Sequence, residues 1–343
     1  MASVGSSSSR AALRAEPAPR GVVAGASDFH GLVGRSAAMQ RVFDDVRRLA
    51  LGDAPLLIVG ETGTGKELIA RALHARSRRA AGPFVAVNCA ALPRDLIESE
   101  LFGHARGAFS GAATAHPGLF RAAAGGTVLL DEISEMRSDL QAKLLRVLQE
   151  HRVRPVGSVY EEAIDVRFLA SSNRDLDAMR RDGCLRADLY YRLAGGLIAV
   201  PPLRHRGADI GRLAEHALAR LNERYAGHQP RVDGLAADAC AVLQALPWDG
   251  NVRELFNVVE RAYPFAAGRA LHAADLCAPI AAVAPRPIEL SARAAPATMA
   301  ESERSLIEHA LQHSNGNKAG AARRLGISRK RLYARLARYG LRP

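Results

Sequence analysis

The chain has few of the residues that would indicate a secreted or membrane-bound protein. Four of its 343 residues are cysteines, far apart in the sequence, at Cys89, Cys184, Cys240 and Cys277. None forms a CxxC pair, and none lies near a histidine at zinc-site spacing. No apolar run reaches the roughly 18–20 residues of a membrane span, and no apolar segment of a secretory signal follows the N-terminus. These absences predict free thiols, no membrane partner and a soluble cytoplasmic protein.

Aromatic residues are also scarce, and acidic residues are fewer than basic ones. Aromatics make up 5% of the chain, and 35 Asp and Glu face 47 Lys and Arg, for a net charge of +12. A balance this basic favours a polyanionic partner, either nucleic acid or a membrane surface, and charge alone leaves both open. Hydrophobic residues at 48% and charged residues at 24% are typical of globular proteins, so wholesale disorder is excluded.

Composition and periodicity divide the chain into five segments. Residues 1–27 are rich in Ala, Ser, Arg and Pro without periodicity, which predicts a disordered leader. Residues 28–203 alternate short apolar runs with helical patterns, and residues 204–277 show helical patterns alone. An Ala- and Pro-rich linker at 278–300 precedes a last helical segment at 301–343.

The alternation in the second segment predicts an α/β fold. The amphipathic pattern of Ser138–Glu150 is typical of the helices expected between strands. Strands that alternate with helices form a parallel sheet covered on both faces. The predicted strands are Leu56–Val59, Phe84–Val87, Thr127–Leu130, Val166–Ala170 and Leu197–Val200.

A glycine-rich loop follows the first predicted strand. Residues 59–67 read Val-Gly-Glu-Thr-Gly-Thr-Gly-Lys-Glu and lead into a helical pattern, the layout of a phosphate-binding P-loop. Its glycines let backbone N–H groups face phosphate oxygens, and the lysine reaches the terminal phosphates. The alternative is a flexible turn in a surface loop. The predicted ATP-binding residues are Gly60, Glu61, Thr62, Gly63, Thr64, Gly65, Lys66 and Glu67.

Two acids end the third predicted strand. Asp131 is placed to hold Mg²⁺, and Glu132 to orient or deprotonate the attacking water. Alone, this Asp-Glu pair is more typical of the start of an exposed loop. Together with the P-loop it predicts an ATP-hydrolysing enzyme.

With these motifs the chain resembles the bacterial enhancer-binding proteins, the AAA+ activators of sigma-54 RNA polymerase, over about residues 29–275 and the last 40 or so. In that family the P-loop ends in Gly-Lys-Glu, so Glu67 is the expected variant of the usual Ser or Thr. The resemblance implies a AAA+ P-loop NTPase with a helical lid subdomain, assembled as a hexameric ring.

The resemblance also implies roles for five polar residues. Asn88 is similar to the family's switch asparagine, which holds the catalytic glutamate, and Asn173 to the sensor of the terminal phosphate. Arg186 and Arg192 resemble arginine fingers supplied to a neighbouring subunit, and Arg253 resembles the second sensor. Each arginine taken alone is more typical of a solvated surface charge, and the assignment depends on their joint order and spacing.

Residues 107–112 resemble the sigma-contact motif GAFTGA of that family. The sequence here is Gly107, Ala108, Phe109, Ser110, Gly111 and Ala112. The resemblance implies a mobile tip with Phe109 as its apolar anchor; without it, a glycine turn with Phe in the core fits equally well. Ser110 lacks the methyl group of the usual Thr, which we expect to weaken the contact by about 0.8 kcal/mol. The chain differs from the family's usual sequence at two further positions. Leu185 stands before the first finger, where the family usually has Phe, and Asp249 follows Trp248, where it usually has Pro. Neither position takes part in the nucleotide chemistry.

Residues 317–336 fit a helix-turn-helix of the Fis type, usually dimeric, which implies binding to double-stranded DNA. Ala322 permits close helix crossing, Gly326 makes the turn, and Leu332 packs inward. Nine Lys and Arg and no acid lie between Lys318 and Arg342. The alternative is a merely solvated basic helix. The candidate DNA-binding residues are Ser328, Arg329, Lys330, Arg331, Tyr333 and Arg335.

These observations predict an ATP-driven transcription activator that binds an upstream enhancer site and remodels sigma-54 RNA polymerase. About 28 residues precede the ATPase, too few for a sensing domain, so we expect control by abundance or by a regulatory protein acting in trans. One alternative is a DNA-binding AAA+ regulator that no longer acts through sigma-54. A second is a general AAA+ remodelling ATPase, which the basic helix-turn-helix disfavours.

Overall fold

The computed structural model describes residues 29–93, 96–175, 179, 181–283, 304, 307, 310, 311, 314, 317–325 and 327–339. The predicted leader, Gly326 and most of the predicted linker lie outside these residues. The chain divides into two compact units, residues 1–283 and 284–343, which are taken separately below.

The larger unit is built on a parallel sheet of five strands in the order β2-β3-β6-β1-β7, and β4 and β5 form a separate antiparallel hairpin. The five predicted strands are confirmed, with ends that shift by at most two residues. The hairpin was not predicted. In chain order the strands are β1 (Leu56–Val59), β2 (Phe84–Asn88), β3 (Thr127–Asp131), β4 (Arg152–Val153), β5 (Glu162–Ala163), β6 (Arg167–Ser172) and β7 (Leu197–Ala199).

Helices cover both faces of this sheet, as the α/β prediction required. The predicted helix Ser138–Glu150 is confirmed with the same bounds. Among the described residues, no helix combines the length and the apolar character needed to cross a membrane. The helices of this unit are α1 (Ala37–Leu49), α2 (Lys66–Ala75), α3 (Ile97–Phe102), α4 (Leu119–Ala122), α5 (Ser138–Glu150), α6 (Ala187–Leu193), α7 (Gly207–Arg224), α8 (Ala237–Ala245), α9 (Asn251–Ala262) and α10 (Ala273–Val283).

Alternate residues of the strands enter two different cores, because successive side chains in a strand point to opposite faces. Leu57 and Val128 are buried with α3–α6 on one face. Leu56 and Leu129 are buried with α1 and α2 on the other. The carboxyl ends of β1, β3 and β6 consequently meet at one edge, where loops can carry the functional site.

Helices α7–α10 form the helical lid around the buried Trp248. At the start of the lid, Arg206 and Asp209 form a buried ion pair, and both residues bind the segment before α1. Asp209 accepts hydrogen bonds from the backbone N–H groups of Arg35 at 2.6 Å and Ser36 at 2.8 Å, while Arg206 donates to the Val33 carbonyl at 3.0 Å. The lid is therefore anchored to the sheet domain at its first turn.

The smaller unit contains helices α11 (Lys318–Arg324) and α12 (Arg329–Arg338). Ala321, Ala322, Leu332 and Leu336 are buried between them. The Ser328 hydroxyl caps α12 by accepting from the Arg331 N–H at 3.3 Å. Two helices packed through small side chains are the expected helix-turn-helix arrangement.

Candidate nucleotide site and contact surfaces

The P-loop connects β1 to α2, and its glycines serve different purposes. Gly65 has φ +99° at the N-terminus of α2, and Gly63 has φ +80°. A Cβ atom on Gly63 would lie 2.3 Å from the Gly250 carbonyl oxygen, so only glycine lets the loop pass under the lid. The loop is therefore shaped by backbone conformation and by close contact with the lid.

Lys66 is buried against this loop. Its ammonium donates to the carbonyl oxygens of Gly60 at 2.8 Å and Glu61 at 3.3 Å. Burial lowers the pKa of Lys66, while the Glu132 and Asp131 carboxylates oppose that shift. An ammonium placed between a phosphate-binding loop and two acids suits a γ-phosphate contact.

Two other predicted ATP-binding residues, Thr64 and Glu67, contact neighbouring residues of the loop and of α2. The Thr64 hydroxyl donates to the Glu61 carbonyl at 2.8 Å. Glu67 pairs with Arg71 at 2.7 Å, one helical turn further along α2, and both side chains are about half-exposed. The Glu67 side chain is thus paired with Arg71 on the surface of α2.

The acidic pair lies at the carboxyl end of β3, which β6 separates from β1 in the sheet. Asp131 accepts a hydrogen bond from the Ser171 hydroxyl, and the Glu132 N–H donates to the same hydroxyl at 3.4 Å. Glu132 has φ +55°, which marks a constrained backbone. Its Oε2 atom is buried and has no hydrogen-bond partner in the part of the chain described. Burial raises the pKa of Glu132, with Lys66 opposing.

Of the two asparagines, only Asn173 contacts the nucleotide site. Its side-chain amide donates to the Thr62 hydroxyl at 3.5 Å. Asn88 lies opposite Asp131 in the strand register, but its side-chain oxygen accepts from Ala90 N–H at 2.9 Å and Ala91 N–H at 3.1 Å. Among the described residues no hydrogen bond joins Asn88 to Glu132, and the expected role of Asn88 as the switch stays a prediction.

The lid meets the P-loop through the start of α9, where Arg253 lies exposed. The Val252 N–H donates to the Gly63 carbonyl at 3.0 Å. The fully buried Asn251 donates to Glu61 Oε2 and to the Thr62 carbonyl, each at 3.1 Å. On the lid side of this contact, Asn251 and Val252 were not predicted.

Glu61 also forms a two-point ion pair with Arg204, at 2.5 and 2.8 Å, between the sheet and the lid. These contacts lower the pKa of Glu61, with the Arg204 hydrogen bonds as the largest cause. In sequence, Glu61 and Arg204 are 143 residues apart, so no local pattern could have paired them.

The two predicted finger arginines lie on the surface at α6. Arg186 forms a two-point pair with Asp188, at 2.8 and 3.1 Å, and Arg192 donates to the Leu148 carbonyl of α5 at 3.1 Å. Within the described residues, neither side chain hydrogen-bonds to the P-loop of its own subunit. Both arginines are exposed on the surface.

The predicted contact loop connects α3 to α4 and stands at the surface. Phe109 is 42% exposed, so the alternative of a core phenylalanine is wrong. Its ring lies against His104, with ring centroids 5.0 Å apart. The loop closes through Gly107 N–H to the Ala112 carbonyl at 2.9 Å. The exposed tip is therefore formed by residues 109–111.

The β4–β5 hairpin supports this loop from one side. The Ala105 N–H donates to the Val156 carbonyl and the Val156 N–H to the Gly103 carbonyl, each at 2.9 Å. A Cβ on Gly157 would lie 2.7 Å from the Ala108 Cβ, so glycine permits the close approach. Loop and hairpin thus form one connected surface.

Most of the candidate DNA-binding residues lie at the start of α12, whereas Arg335 lies in its last turn. Arg329, Lys330, Arg331 and Tyr333 are exposed, whereas Arg335 is half-buried. The Lys318 ammonium lies 5.3 Å from the centre of the Tyr333 ring. A basic helix start with an exposed aromatic side chain suits phosphate and base-edge contacts.

Three family models match consecutive parts of the chain. The sigma-54 interaction domain matches residues 32–199, the AAA+ ATPase lid domain 204–292, and the bacterial regulatory protein, Fis family, 298–339. Two similar proteins from Escherichia coli (strain K12) are regulatory protein AtoC and transcriptional regulatory protein ZraR. AtoC is 44% identical over 90% of this chain and 67% of its own length. ZraR is 45% identical over 91% and 69%.

Solved structures agree with these matches. The crystal structure of NtrX from Brucella abortus in complex with ADP has a TM-score of 0.66 and 35% identity, covering 90% of this chain and 70% of NtrX. Its complex with ATP has a TM-score of 0.64. The nucleotide-site geometry and the matched domains together identify the chain as a AAA+ ATPase and a member of the sigma-54-dependent transcription activators with a Fis-type helix-turn-helix domain.

Proposed function

We propose that this protein hydrolyses ATP in a hexameric ring and uses the energy to press the Phe109 loop against sigma-54, remodelling the closed promoter complex. The observation that carries the proposal is the exposed Phe109 tip on the same domain as a complete P-loop and acidic pair. DNA bound by α12 at an upstream site holds the ring near the promoter, which places the protein in the cytoplasm.

In the proposed reaction, the P-loop N–H groups and Lys66 bind the phosphates of the substrate ATP. Asp131 is the residue that fits Mg²⁺, since its carboxylate lies at the strand end beside Lys66, and Mg²⁺ sites use one or two carboxylates with substrate phosphates. When bound, the ion neutralises charge on the phosphates. The fit rests on donor chemistry and on the clustering of two acids with one ammonium.

Glu132 serves as the base in this proposal. Its buried Oε2 has no hydrogen-bond partner among the described residues, so this acceptor is unused until a water molecule enters the site with the nucleotide. Asn173, hydrogen-bonded to Thr62, senses the terminal phosphate beside it. Asn88 holds Glu132 by donating its side-chain amide to that carboxylate until the nucleotide state changes.

Arg186 and Arg192 act on the ATP of the neighbouring subunit. Support comes from their exposure and from the absence of hydrogen bonds to their own P-loop in the described structure. A guanidinium brought to the γ-phosphate neutralises developing charge and is typically worth about 10³–10⁵ in kcat. Hydrolysis then requires a ring. Arg253, at the start of the lid helix α9, couples the position of the lid to the bound nucleotide.

The proposal is tested by ATP-dependent open-complex formation on a sigma-54 promoter carrying the protein's binding site. The unmodified protein is expected to open the promoter with ATP and not with ADP. Glu132→Gln is expected to bind ATP without opening, and Phe109→Ala to hydrolyse ATP without opening. Opening by Phe109→Ala at the unmodified rate would contradict the assigned role of the loop.

A further inference from the structure

A buried glutamine, Gln141 of α5, makes three hydrogen bonds to backbone groups of two other segments. Its side-chain nitrogen donates to the carbonyls of Met136 and Cys184, each at 2.7 Å. Its side-chain oxygen accepts from the Arg186 N–H at 2.9 Å. The residue is 1% exposed, so both N–H donors and the oxygen are satisfied without water.

The two segments held by Gln141 belong to different parts of the catalytic machinery. Met136 follows the short 3-10 turn Ile133–Glu135, which begins directly after Glu132. Cys184 and Arg186 lie immediately before α6, which carries Arg192. One amide therefore spans from the turn behind the proposed base to the loop that presents the proposed finger.

A second, more exposed contact joins the same two segments. Arg174, next to the sensor Asn173, lies 3.3 Å from Glu135 Oε1 and 3.0 Å from Cys184 Sγ. Because the Arg174 and Glu135 side chains are about 40% exposed, their ion pair is screened and weaker than the buried amide contacts. Gln141 is consequently the more rigid of the two connections.

The surroundings of Gln141 on α5 are otherwise apolar. Leu140, Leu144, Val147 and Leu148 of the same helix are buried in one core. An amide in such a place costs desolvation unless every polar atom is paired, and a fully paired one fixes a unique arrangement of its partners. Here the partners are irregular backbone segments whose position the helices alone do not determine.

We propose that Gln141 is a positioning residue that couples the turn behind Glu132 to the loop presenting Arg186, so that the state of one active site sets the finger offered to the next subunit. This inference rests on the proposed role of Arg186 in the ring. Movement at Glu132 during hydrolysis shifts Met136, and the Gln141 amide passes that shift to the Arg186 backbone.

The first test uses Gln141→Met, which keeps an unbranched side chain of similar size and removes all three hydrogen bonds. The matched control is Gln149→Met, at an exposed position of the same helix. We expect Gln141→Met to lower kcat by about a hundredfold toward the value of Arg186→Ala, with ATP affinity within about threefold of the unmodified protein. Unchanged kcat, or a loss confined to ATP affinity, would overturn the proposal.

Mixed rings separate a misplaced finger from a damaged active site. Glu132→Gln subunits have an inactive site and an intact Arg186, so they can supply a finger to Gln141→Met neighbours. The 1:1 mixture is expected to hydrolyse ATP faster than the sum of its parts, as an Arg186→Ala mixture does. If Arg186→Ala is complemented and Gln141→Met is not, the inference fails. If neither is complemented, the finger role itself fails.

Hydrogen exchange on the unmodified protein tests the coupling even where Gln141→Met does not fold. The Arg186 amide is expected to be protected in the ADP state. Its protection should change together with that of residues 133–136 when ADP–aluminium fluoride replaces ADP. A change at 133–136 with none at Arg186 would contradict the coupling.

Discussion

Asn251 donates from its side-chain amide to Glu61 Oε2 at 3.1 Å, joining the lid to the phosphate-binding loop across 190 residues of sequence. The same amide donates to the Thr62 carbonyl at 3.1 Å, and its oxygen accepts from the Leu203 N–H at 2.7 Å. Asn251 has φ +54°, a conformation that asparagine tolerates better than most residues. Asn251 therefore holds the lid to the P-loop: asparagine tolerates the backbone conformation found here, and its amide makes the hydrogen bonds.

Replacing Asn251 by Asp is expected to weaken this contact. The substitution removes the amide donors and places a second carboxylate against Glu61, so unfolding free energy should fall by about 1–3 kcal/mol and ATP should bind more weakly. Urea unfolding and ATP titration measure the two effects. Asn257→Asp, exposed on the same helix, is the control. Adding Glu61→Gln should recover part of the stability, and no recovery would contradict a charge effect.

The raised pKa of Glu132 predicts a pH-dependent kcat. Burial, with Asp131 and Glu135, raises this pKa, and Lys66 and the Asn173 N–H oppose the shift. The base must be ionised, so kcat should fall as pH decreases, with a midpoint above the ordinary value of about 4.3. Steady-state kcat measured on the acid side, with ADP affinity at each pH as control, tests this. A midpoint at or below about 4.3 would argue against it.

Ser110→Thr is expected to strengthen contact with sigma-54. The added methyl group lies on the exposed tip and contributes about 0.8 kcal/mol when buried by a partner, or up to about fourfold in Kd. Binding of sigma-54 in ADP–aluminium fluoride measures the change. Thr114→Ser, outside the motif, should leave Kd unchanged. No gain in the Ser110→Thr variant would mean that this side chain is not buried at the interface.

Neutralising exposed cations at the start of α12 should reduce the salt dependence of DNA binding. Removing one phosphate-binding cation changes the slope of log Kd against log salt by about one. Arg329→Ala and Lys330→Ala are tested by titration at several salt concentrations. Arg48→Ala, an exposed arginine of the ATPase unit, is the control. A slope equal to that of the control would contradict phosphate binding by these residues.

The features predicted best from the sequence were those encoded by local patterns of apolar residues. Apolar runs located all five sheet strands, and amphipathic spacing located Ser138–Glu150. The β4–β5 hairpin was missed because its strands have two residues each, too few for a periodicity. Contacts such as Asn251 with Glu61 arise only when distant segments pack together. The Asn88 contact with Glu132 stays a prediction, because the following turn occupies the Asn88 side-chain oxygen and the contact would use its amide N–H.

The central claim is that the Phe109 loop engages sigma-54 in a nucleotide-dependent way. The direct measurement is complex formation between the protein and purified sigma-54 in ADP–aluminium fluoride, with Phe109→Ala in parallel. The account predicts a stable complex that the substitution abolishes while ATPase activity persists. No complex, with ATPase activity and DNA binding intact, would contradict it and favour a DNA-binding regulator that no longer acts through sigma-54.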